Sequence, residues 1–343
     1  IISQEQQKKK KKKMSRKKRV SFGANPIKSD KKSKSKHKKR IRTRDRIMTL
    51  SELKNLESVS KTAFLAKYLM EAHKIVGKGS FAKIHRCKQK NSSTILAMKI
   101  IKKKKASKSD IRAMRREINA LALIDHKNVV NIHDWCETPS TLYIVLDYCG
   151  GGNLLERVSN TGKFTELHTV KVILQVADAL QHVHSLGIVH RDLKPENIMY
   201  MGESGSEIKL IDFGLANRVK LDKYESYGDL SKIFTLKTAC GTPHYAAPEL
   251  IKRVPYGSAI DIWSLGVIIY LVLCGFHPFS DDDIQELFYK IVNAKFTYPS
   301  PYWDNISIEA KNLIRNMLCI NPKQRFNAKQ VLTHEWMRLN EIN

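Results

Sequence analysis

The sequence predicts an α+β fold, in which a small, mainly antiparallel β region precedes a larger, mainly helical one. Five predicted strands lie early in the chain, at residues 70–77, 80–88, 94–101, 129–135 and 141–147. Helical patterns dominate afterwards, and the apolar segment from Trp263 to Phe276 is typical of a buried core helix. Strands followed by runs of helices indicate the α+β class.

The basic charge of the chain is concentrated at its start. Of a formal net charge of +28 over 343 residues, residues 1–46 supply +18, from 21 basic residues against three acidic ones. This stretch is polar and of low complexity, so we expect a disordered tail. It could serve as a nuclear-targeting signal or bind nucleic acid or an anionic membrane, and a merely solvated tail is the alternative.

One short segment of this tail resembles the docking motif that binds protein phosphatase type 1. Arg19 precedes Val20 and Phe22, and an extended strand would put these two apolar side chains on one face. Such short patterns also arise by chance. Ser21 fits a phosphorylation site, and a phosphate there would oppose burial of the segment.

Residues 47–67 form a predicted linker with a short helix. Leu50, Leu53, Leu56 and Val59 recur near helical spacing. The pattern predicts an amphipathic helix that precedes the domain and packs on the small β region.

The cysteine pattern and the hydropathy indicate a reducing compartment. Six cysteines are scattered without a CxxC pair, which argues against a zinc site and against a disulfide scaffold. No apolar stretch reaches the roughly 20 residues that span a bilayer, and the start of the chain lacks an apolar signal region. We therefore expect an intracellular protein that is cytoplasmic, nuclear or both.

Two motifs in the second half carry groups suited to phosphoryl transfer. The stretch HRDLKPEN occupies residues 190–197. There Asp192 can accept a proton from an attacking hydroxyl, Lys194 can neutralise a phosphate, and Asn197 can hold a metal ion. Asp212, which begins a DFG sequence fifteen residues after Asn197, is a second candidate metal ligand.

Two upstream features suit phosphate binding. Gly77 and Gly79, in the stretch 77–82 between two predicted strands, allow the backbone to approach phosphates closely. Lys99 lies on the third predicted strand and could bind phosphate there; the alternative is an ordinary surface lysine.

In their order and spacing these motifs resemble those of the eukaryotic protein kinases. Lys194 and the stretch Gly241–Pro243 are Ser/Thr-kinase features, and residues 274–279 and 296–307 are similar to the calcium/calmodulin-dependent kinase group. The resemblance covers about residues 68–337.

The resemblance implies a two-lobed protein kinase fold. The small lobe, at residues 68–147, would be a mainly antiparallel sheet with one key helix, and the large lobe, at residues 150–337, would be mainly α-helical. The implied activity is transfer of the γ-phosphoryl group of ATP to Ser or Thr hydroxyls of proteins, with Mg²⁺ or Mn²⁺ as the metal.

The resemblance also implies which residues form the site. The catalytic residues would be Asp192, Lys194, Lys99, Asn197 and Asp212, with Asn197 and Asp212 as the metal ligands. The nucleotide would contact Gly77, Lys78, Gly79, Ser80, Phe81, Ala82, Ile84, Ala97, Lys99, Glu117, Leu146, Asp147, Cys149, Glu196, Asn197, Met199, Ile211 and Asp212. Ala82 departs from the family pattern, which has a third glycine there.

Regulation would act through residues 212–249, which match the activation segment. Thr238 matches the site that an upstream kinase phosphorylates in many relatives, and Arg191 would bind that phosphate. A constitutively active kinase is the alternative.

Other matching residues have structural roles. The resemblance implies that Glu249 pairs with Arg325 and that Asp261 holds the backbone of the catalytic loop. His190 and Phe213 would belong to a stacked apolar spine rather than to the chemistry.

Two departures from the family bear on substrates and control. Asn153 and Leu271 stand where relatives that prefer basic substrates carry glutamates, so Glu196 is the one acidic anchor left. The residues present give no support for direct calcium or calmodulin control, because the few residues after Trp336 show no calmodulin-binding helix and no EF-hand loop occurs in the sequence; control of a longer form of the protein stays open.

Two other functions are alternatives to catalysis. A pseudokinase or scaffold would share the fold, but the sequence contains the complete set of Lys99, Glu117, Asp192, Asn197 and Asp212. Alternatively, the tail could be the main functional part, and binding that weakens steeply with salt and requires residues 1–46 would support that function.

Overall fold

The computed structural model describes residues 61–78, 82–218 and 243–341. The basic tail with Arg19, Val20 and Phe22 lies outside the described residues, as do Thr238 and most of the predicted linker helix. The expectations for these parts stay predictions.

The small lobe is a five-stranded antiparallel sheet with the strand order β1-β2-β3-β5-β4. Its strands are β1 (Tyr68–Lys78), β2 (Ala82–Gln89), β3 (Ile95–Lys102), β4 (Ile132–Glu137) and β5 (Thr141–Asp147). All five predicted strands are present, with ends that differ from the prediction by at most three residues.

The sheet buries both of its faces because apolar residues occupy alternating positions along the strands. On β3, Leu96 and Met98 pack in a cluster on one face, whereas Ile101 packs in a cluster on the other. A short helix, α1 (Lys61–Leu65), covers the first face and buries Phe64 there. It lies within the predicted linker, but Leu50, Leu53, Leu56 and Val59, on which the helix prediction rests, lie outside the described residues, so that prediction stays untested.

Helix α2 (Lys108–Leu121) covers the second face and contributes Ile118 to its cluster. A capping box begins the helix: the Asp110 amide donates to Ser107 Oγ at 3.1 Å, and the Ser107 amide donates to the Asp110 carboxylate at 2.9 Å. This arrangement satisfies two amides that an uncapped helix end would leave without partners.

The large lobe is mainly helical, as predicted. Its helices are α3 (Leu154–Thr161), α4 (Glu166–Ser185), α5 (Pro248–Ile251), α6 (Ala259–Cys274), α7 (Ile284–Val292), α8 (Ile308–Met317), α9 (Ala328–Leu332) and α10 (Glu335–Glu341). Four short strands lie beside the site: β6 (Ile188–Val189), β7 (Ile198–Tyr200), β8 (Ile208–Leu210) and β9 (Asn217–Arg218). Among the described helices, none is both long and apolar enough to cross a membrane.

Helix α6 is the centre of the large-lobe core. Every residue from Ile260 to Cys274 is buried, so the predicted core helix is confirmed, although it begins at Ala259. It ends at Gly275, whose φ of 92° is left-handed, and a Cβ there would lie 2.8 Å from the Gly162 carbonyl oxygen. This stop requires glycine.

Candidate active site

Asp261, near the start of α6, binds the backbone of the catalytic loop, residues 190–197. This carboxylate is 1% exposed and accepts hydrogen bonds from the amides of His190 and Arg191, each at 2.9 Å. His184 Nε2 lies 2.8 Å from the same carboxylate. Burial alone would raise the pKa of Asp261, but the hydrogen bond from His184 and the neighbouring donors hold it below its usual value. The expected role of Asp261 is therefore supported by direct contacts.

Asp192 lies at the centre of the loop, in contact with both of its motif partners. Lys194 Nζ is 2.9 Å from Asp192 Oδ2, and Asn197 Nδ2 donates to the Asp192 carbonyl at 2.7 Å and to Oδ2 at 3.2 Å. Burial alone would lower the pKa of Lys194, but the negative charge of Asp192 raises it. Lys194 therefore carries its positive charge beside a carboxylate whose Oδ1 faces neither partner.

The DFG residues take up two different environments. Phe213 is fully buried, and its ring lies 4.7 Å from that of His190, which in turn contacts the Ile211 carbonyl at 3.0 Å. Asp212 is exposed and adopts a left-handed backbone with φ 62° and ψ 70°. The packing of Phe213 thus leaves the Asp212 carboxylate accessible at the site.

Lys99 and Glu117 form an ion pair between β3 and α2. Lys99 Nζ lies 2.9 Å from both carboxylate oxygens of Glu117, and the Glu117 residue is 4% exposed. Burial alone would lower the pKa of Lys99, but the charges of Glu117 and Asp212 raise it. The ammonium is therefore charged at neutral pH and lies in the field of Asp212.

The described residues among those expected around the nucleotide are contributed by both lobes. Gly77 pairs with Ile84 across β1 and β2, and Ala97 pairs with Leu146 across β3 and β5. The backbone of Lys78 and Ala82 is described at the strand ends, whereas Gly79, Ser80 and Phe81 lie outside the described residues. The large-lobe members Glu196, Asn197, Met199, Ile211 and Asp212 lie on the catalytic loop, on β7 and after β8.

The resemblance matches residues 147–149 to the hinge between the lobes, whose backbone would hydrogen-bond the adenine of ATP. The Asp147 side chain in this segment is bound by other side chains. Its carboxylate is bound by Lys209 Nζ at 2.9 Å and lies 2.7 Å from His133 Nε2. The Cys149 thiol contacts the Met201 sulfur at 3.7 Å. Because the Asp147 side chain is already bound by Lys209 and His133, we expect its backbone rather than its side chain to contact the nucleotide.

Sequence reasoning missed three of these polar residues: His184, His133 and Lys209. Their only signal in the sequence is position, since His184 precedes the loop and Lys209 precedes Asp212. The sequence around a polar residue in a strand or helix does not indicate which buried carboxylate it contacts in the folded protein.

The structure describes the predicted Glu249–Arg325 pair completely, but only Arg191 of the predicted regulatory pair Thr238 and Arg191. Arg191 has a φ of 71°, and its Nε is buried without a hydrogen-bond partner among the described residues. Glu249 accepts two bonds from Arg325, at 2.7 and 3.0 Å, so that predicted pair is confirmed. Thr238, the expected phosphate carrier, lies in the part of the chain that is not described.

Comparison with known proteins agrees with this geometry. The family model for the protein kinase domain matches residues 70–337. A probable myosin light chain kinase from Dictyostelium discoideum is 39% identical over 272 residues, which are 78% of this chain and 82% of that protein. Human calcium/calmodulin-dependent protein kinase type 1B is 40% identical over 268 residues, which are 78% of this chain and 74% of that protein.

A third relative is similar to the same extent. Calcium/calmodulin-dependent protein kinase type 1 from Macrobrachium nipponense is 38% identical over 273 residues, or 79% of this chain and 75% of that protein. The chain therefore belongs to the protein kinase family and is a serine/threonine kinase like those of the calcium/calmodulin-dependent group.

Proposed function

We propose that this kinase uses Asp192 to orient a serine or threonine hydroxyl and to accept its proton while the γ-phosphoryl group of ATP is transferred. The observation that carries the proposal is the asymmetric binding of the Asp192 carboxylate. Lys194 and Asn197 both contact Oδ2, which leaves Oδ1 for an incoming hydroxyl. Proton acceptance by a positioned carboxylate contributes about 10²–10⁴-fold in rate.

Lys99 and Lys194 neutralise different phosphates of ATP. Lys99, oriented by Glu117, binds the α- and β-phosphates, whereas Lys194, beside Asp192, stabilises charge on the transferred phosphoryl group. Fixed positive charges that need no rearrangement during the reaction stabilise its transition state. Both ammonium groups keep their charge, because neighbouring carboxylates raise their pKa values.

As a protein kinase, the chain uses ATP with a divalent metal and acts on protein substrates. We assign the metal as Mg²⁺, held by Asp212 and Asn197. Asn197 uses Nδ2 to bind Asp192, so its Oδ1 is available as an oxygen ligand, and the Asp212 carboxylate is exposed. Oxygen ligands of this kind suit Mg²⁺, which neutralises phosphate charge when bound.

Substitution of Asp192 tests the proposed base. In Asp192→Asn we expect kcat to fall at least about 100-fold, because an amide cannot accept the hydroxyl proton. Calorimetry should show Mg·ATP binding unchanged. Asp282→Asn, at an exposed position remote from the loop, is the matched control and should keep full activity. Near-complete activity in Asp192→Asn would contradict the mechanism.

We propose further that phosphorylation of Thr238 activates the enzyme, with Arg191 as the phosphate ligand. Arg191 directly precedes Asp192, and its Nε has no hydrogen-bond partner among the described residues. A phosphate adjacent to this guanidinium would form charge-assisted hydrogen bonds and stabilise the catalytic loop.

Three samples test this regulation: the chain as purified, the phosphatase-treated chain, and Thr238→Ala. Activity on Ser/Thr peptides should fall in both the second and the third. Thr94→Ala, at an exposed position, serves as the control. Full activity in all three samples would instead identify a constitutive kinase.

A further inference from the structure

A buried lysine on β8 joins the two halves of the cleft. Lys209 is 6% exposed, yet all three of its ammonium protons have acceptors. Nζ lies 2.9 Å from the Lys127 carbonyl oxygen, 3.2 Å from the Val129 carbonyl oxygen and 2.9 Å from Asp147 Oδ2. The first two acceptors belong to the loop between α2 and β4, and the third ends β5.

The carboxylate that Lys209 binds is itself fully engaged. Asp147 Oδ2 also accepts from the Asn131 amide at 2.9 Å, and Oδ1 lies 2.7 Å from His133 Nε2. Burial alone would raise the pKa of Asp147, but these hydrogen bonds and the Lys209 charge lower it to about 2. The carboxylate is therefore ionised at neutral pH, and the Asp147–Lys209 contact is an ion pair.

Backbone hydrogen bonds reinforce the same junction. The Leu210 amide donates to the Asn128 carbonyl at 2.8 Å, and the Val130 amide donates to the Leu210 carbonyl at 3.0 Å. The loop before β4 thus pairs with β8 at Leu210, the residue directly after Lys209. A strand of the large lobe is in this way attached to the base of the small lobe.

The location of the ion pair links two functional segments. Asp147 is the last residue of β5 and starts the hinge, whose backbone is expected to bind adenine. Lys209 lies three residues before Asp212, which is expected to bind the metal at the phosphates. The Asp147–Lys209 contact therefore sets the spacing between the segments that would hold the two ends of ATP.

We propose that Lys209 is a positioning residue for ATP, which acts through Asp147 to hold the hinge backbone at a fixed position relative to Asp212. This inference rests on the proposed nucleotide site. Without the pair, the hinge and the metal-binding segment move more independently, and part of the binding free energy of ATP is used to order them. The effect is on nucleotide affinity rather than on the chemical step.

Kinetics of Lys209→Met test the proposal. We expect KM for ATP to rise about tenfold, the change that loss of one charge-assisted contact produces. The kcat at saturating ATP should change less than about threefold, and KM for the peptide should not change. Calorimetry with Mg·ADP should show the same loss of affinity, independently of turnover.

Two further variants separate positioning from stability. His133→Ala removes a half-exposed contact to the same carboxylate and should raise KM for ATP by about twofold to fourfold without unfolding risk. Ile314→Val, in the core of α8, should lower Tm and leave KM for ATP unchanged.

Coupling between the two partners gives the decisive outcome. In the double variant Lys209→Met, Asp147→Asn, the rise in KM for ATP should be smaller than the product of the rises in the two single variants, because both changes break the same Lys209–Asp147 contact. A lower Tm with unchanged KM for ATP in Lys209→Met and in His133→Ala would overturn the proposal. Retained activity in Asp192→Asn would contradict the proposed mechanism instead, so the two failures are distinguishable.

Discussion

The Glu249 carboxylate and the Arg325 guanidinium form a two-point ion pair inside the large lobe, with N–O distances of 2.7 and 3.0 Å. The residues are 3% and 4% exposed, respectively. The other donors of Arg325 bind the carbonyl oxygens of Cys319, Ala259 and Ile320. The pair therefore joins α5, at the end of the activation segment, to the start of α6 and to the loop after α8.

Loss of one partner should destabilise the domain strongly. In Arg325→Met, the Glu249 carboxylate stays buried without its counterion, and we expect about 3–5 kcal/mol less free energy of unfolding. Urea denaturation would measure it. The control is Lys290→Met, which breaks the half-exposed Lys290–Asp281 pair and should change stability by less than about 1 kcal/mol. Equal effects in the two variants would contradict the assigned role of the buried pair.

Phe64 should anchor the chain before the sheet to the small lobe. Its ring is 1% exposed and lies 5.4 Å from the ring of Tyr68 and 6.0 Å from that of Tyr143. In Phe64→Ala we expect about 3 kcal/mol less stability, because a large buried side chain is lost. Thermal unfolding would measure the change, and Lys61→Ala, at an exposed position of the same helix, is the control. An unchanged Tm in Phe64→Ala would show that α1 does not contribute to the fold.

The sequence predicted the residues proposed for catalysis better than the buried residues that position them. Asp192, Lys194 and Asn197 lie within six residues, so their contacts follow from one local turn. Lys99 and Glu117 were predicted through resemblance, because a strand and a helix meet there only in the folded lobe. Burial of Lys209 could not be predicted, since its three acceptors come from a loop and a hinge far away in the sequence.

Alternation of apolar residues explains why the strands were predicted well. The ends were less certain because they depend on pairing partners: β4 begins at Ile132, three residues later than predicted. The segment before it pairs with β8 instead, through the hydrogen bonds of Leu210. No local pattern in residues 128–130 indicates that partner.

His277 should make stability depend on pH below neutrality. It stacks on His244 at 4.2 Å and lies 3.0 Å from the Tyr245 hydroxyl. Burial, followed by the charge of His244, lowers the pKa of His277 to about 4. The unfolded chain takes up this proton near pH 6.5, so stability from neutral His277 is present above that pH and is lost as the pH falls toward 4.

Urea denaturation between pH 7.5 and 4.5 measures this effect by comparison with His277→Gln. The variant keeps a hydrogen-bonding side chain but no titrating group, so its stability should fall about 1–3 kcal/mol less over that range. The carboxylates titrate in both proteins and cancel in the difference. Parallel pH curves for the two proteins would refute the assignment.

The Lys99–Glu117 pair should control the charge of Lys99 and, through it, the pH range of activity. Burial alone lowers the pKa of Lys99, and the nearest compensating charge is that of Glu117. In Glu117→Gln the carboxylate is gone, so the pKa of Lys99 should fall. Because only the charged ammonium binds phosphates, activity should be lost as the pH rises.

The pH–rate profile of kcat/KM for ATP measures this change. We expect Glu117→Gln to be about 10–100-fold less active near neutral pH, as loss of a positioned phosphate ligand implies, and to decline further toward pH 9. The wild type should show no such decline at high pH, and neither should Glu203→Gln, an exposed control on the large lobe. If kcat/KM of Glu117→Gln is lower by the same factor at every pH, Glu117 orients Lys99 without keeping it charged. A lower pKa of Lys99 would instead make kcat/KM decline at a lower pH than in the wild type.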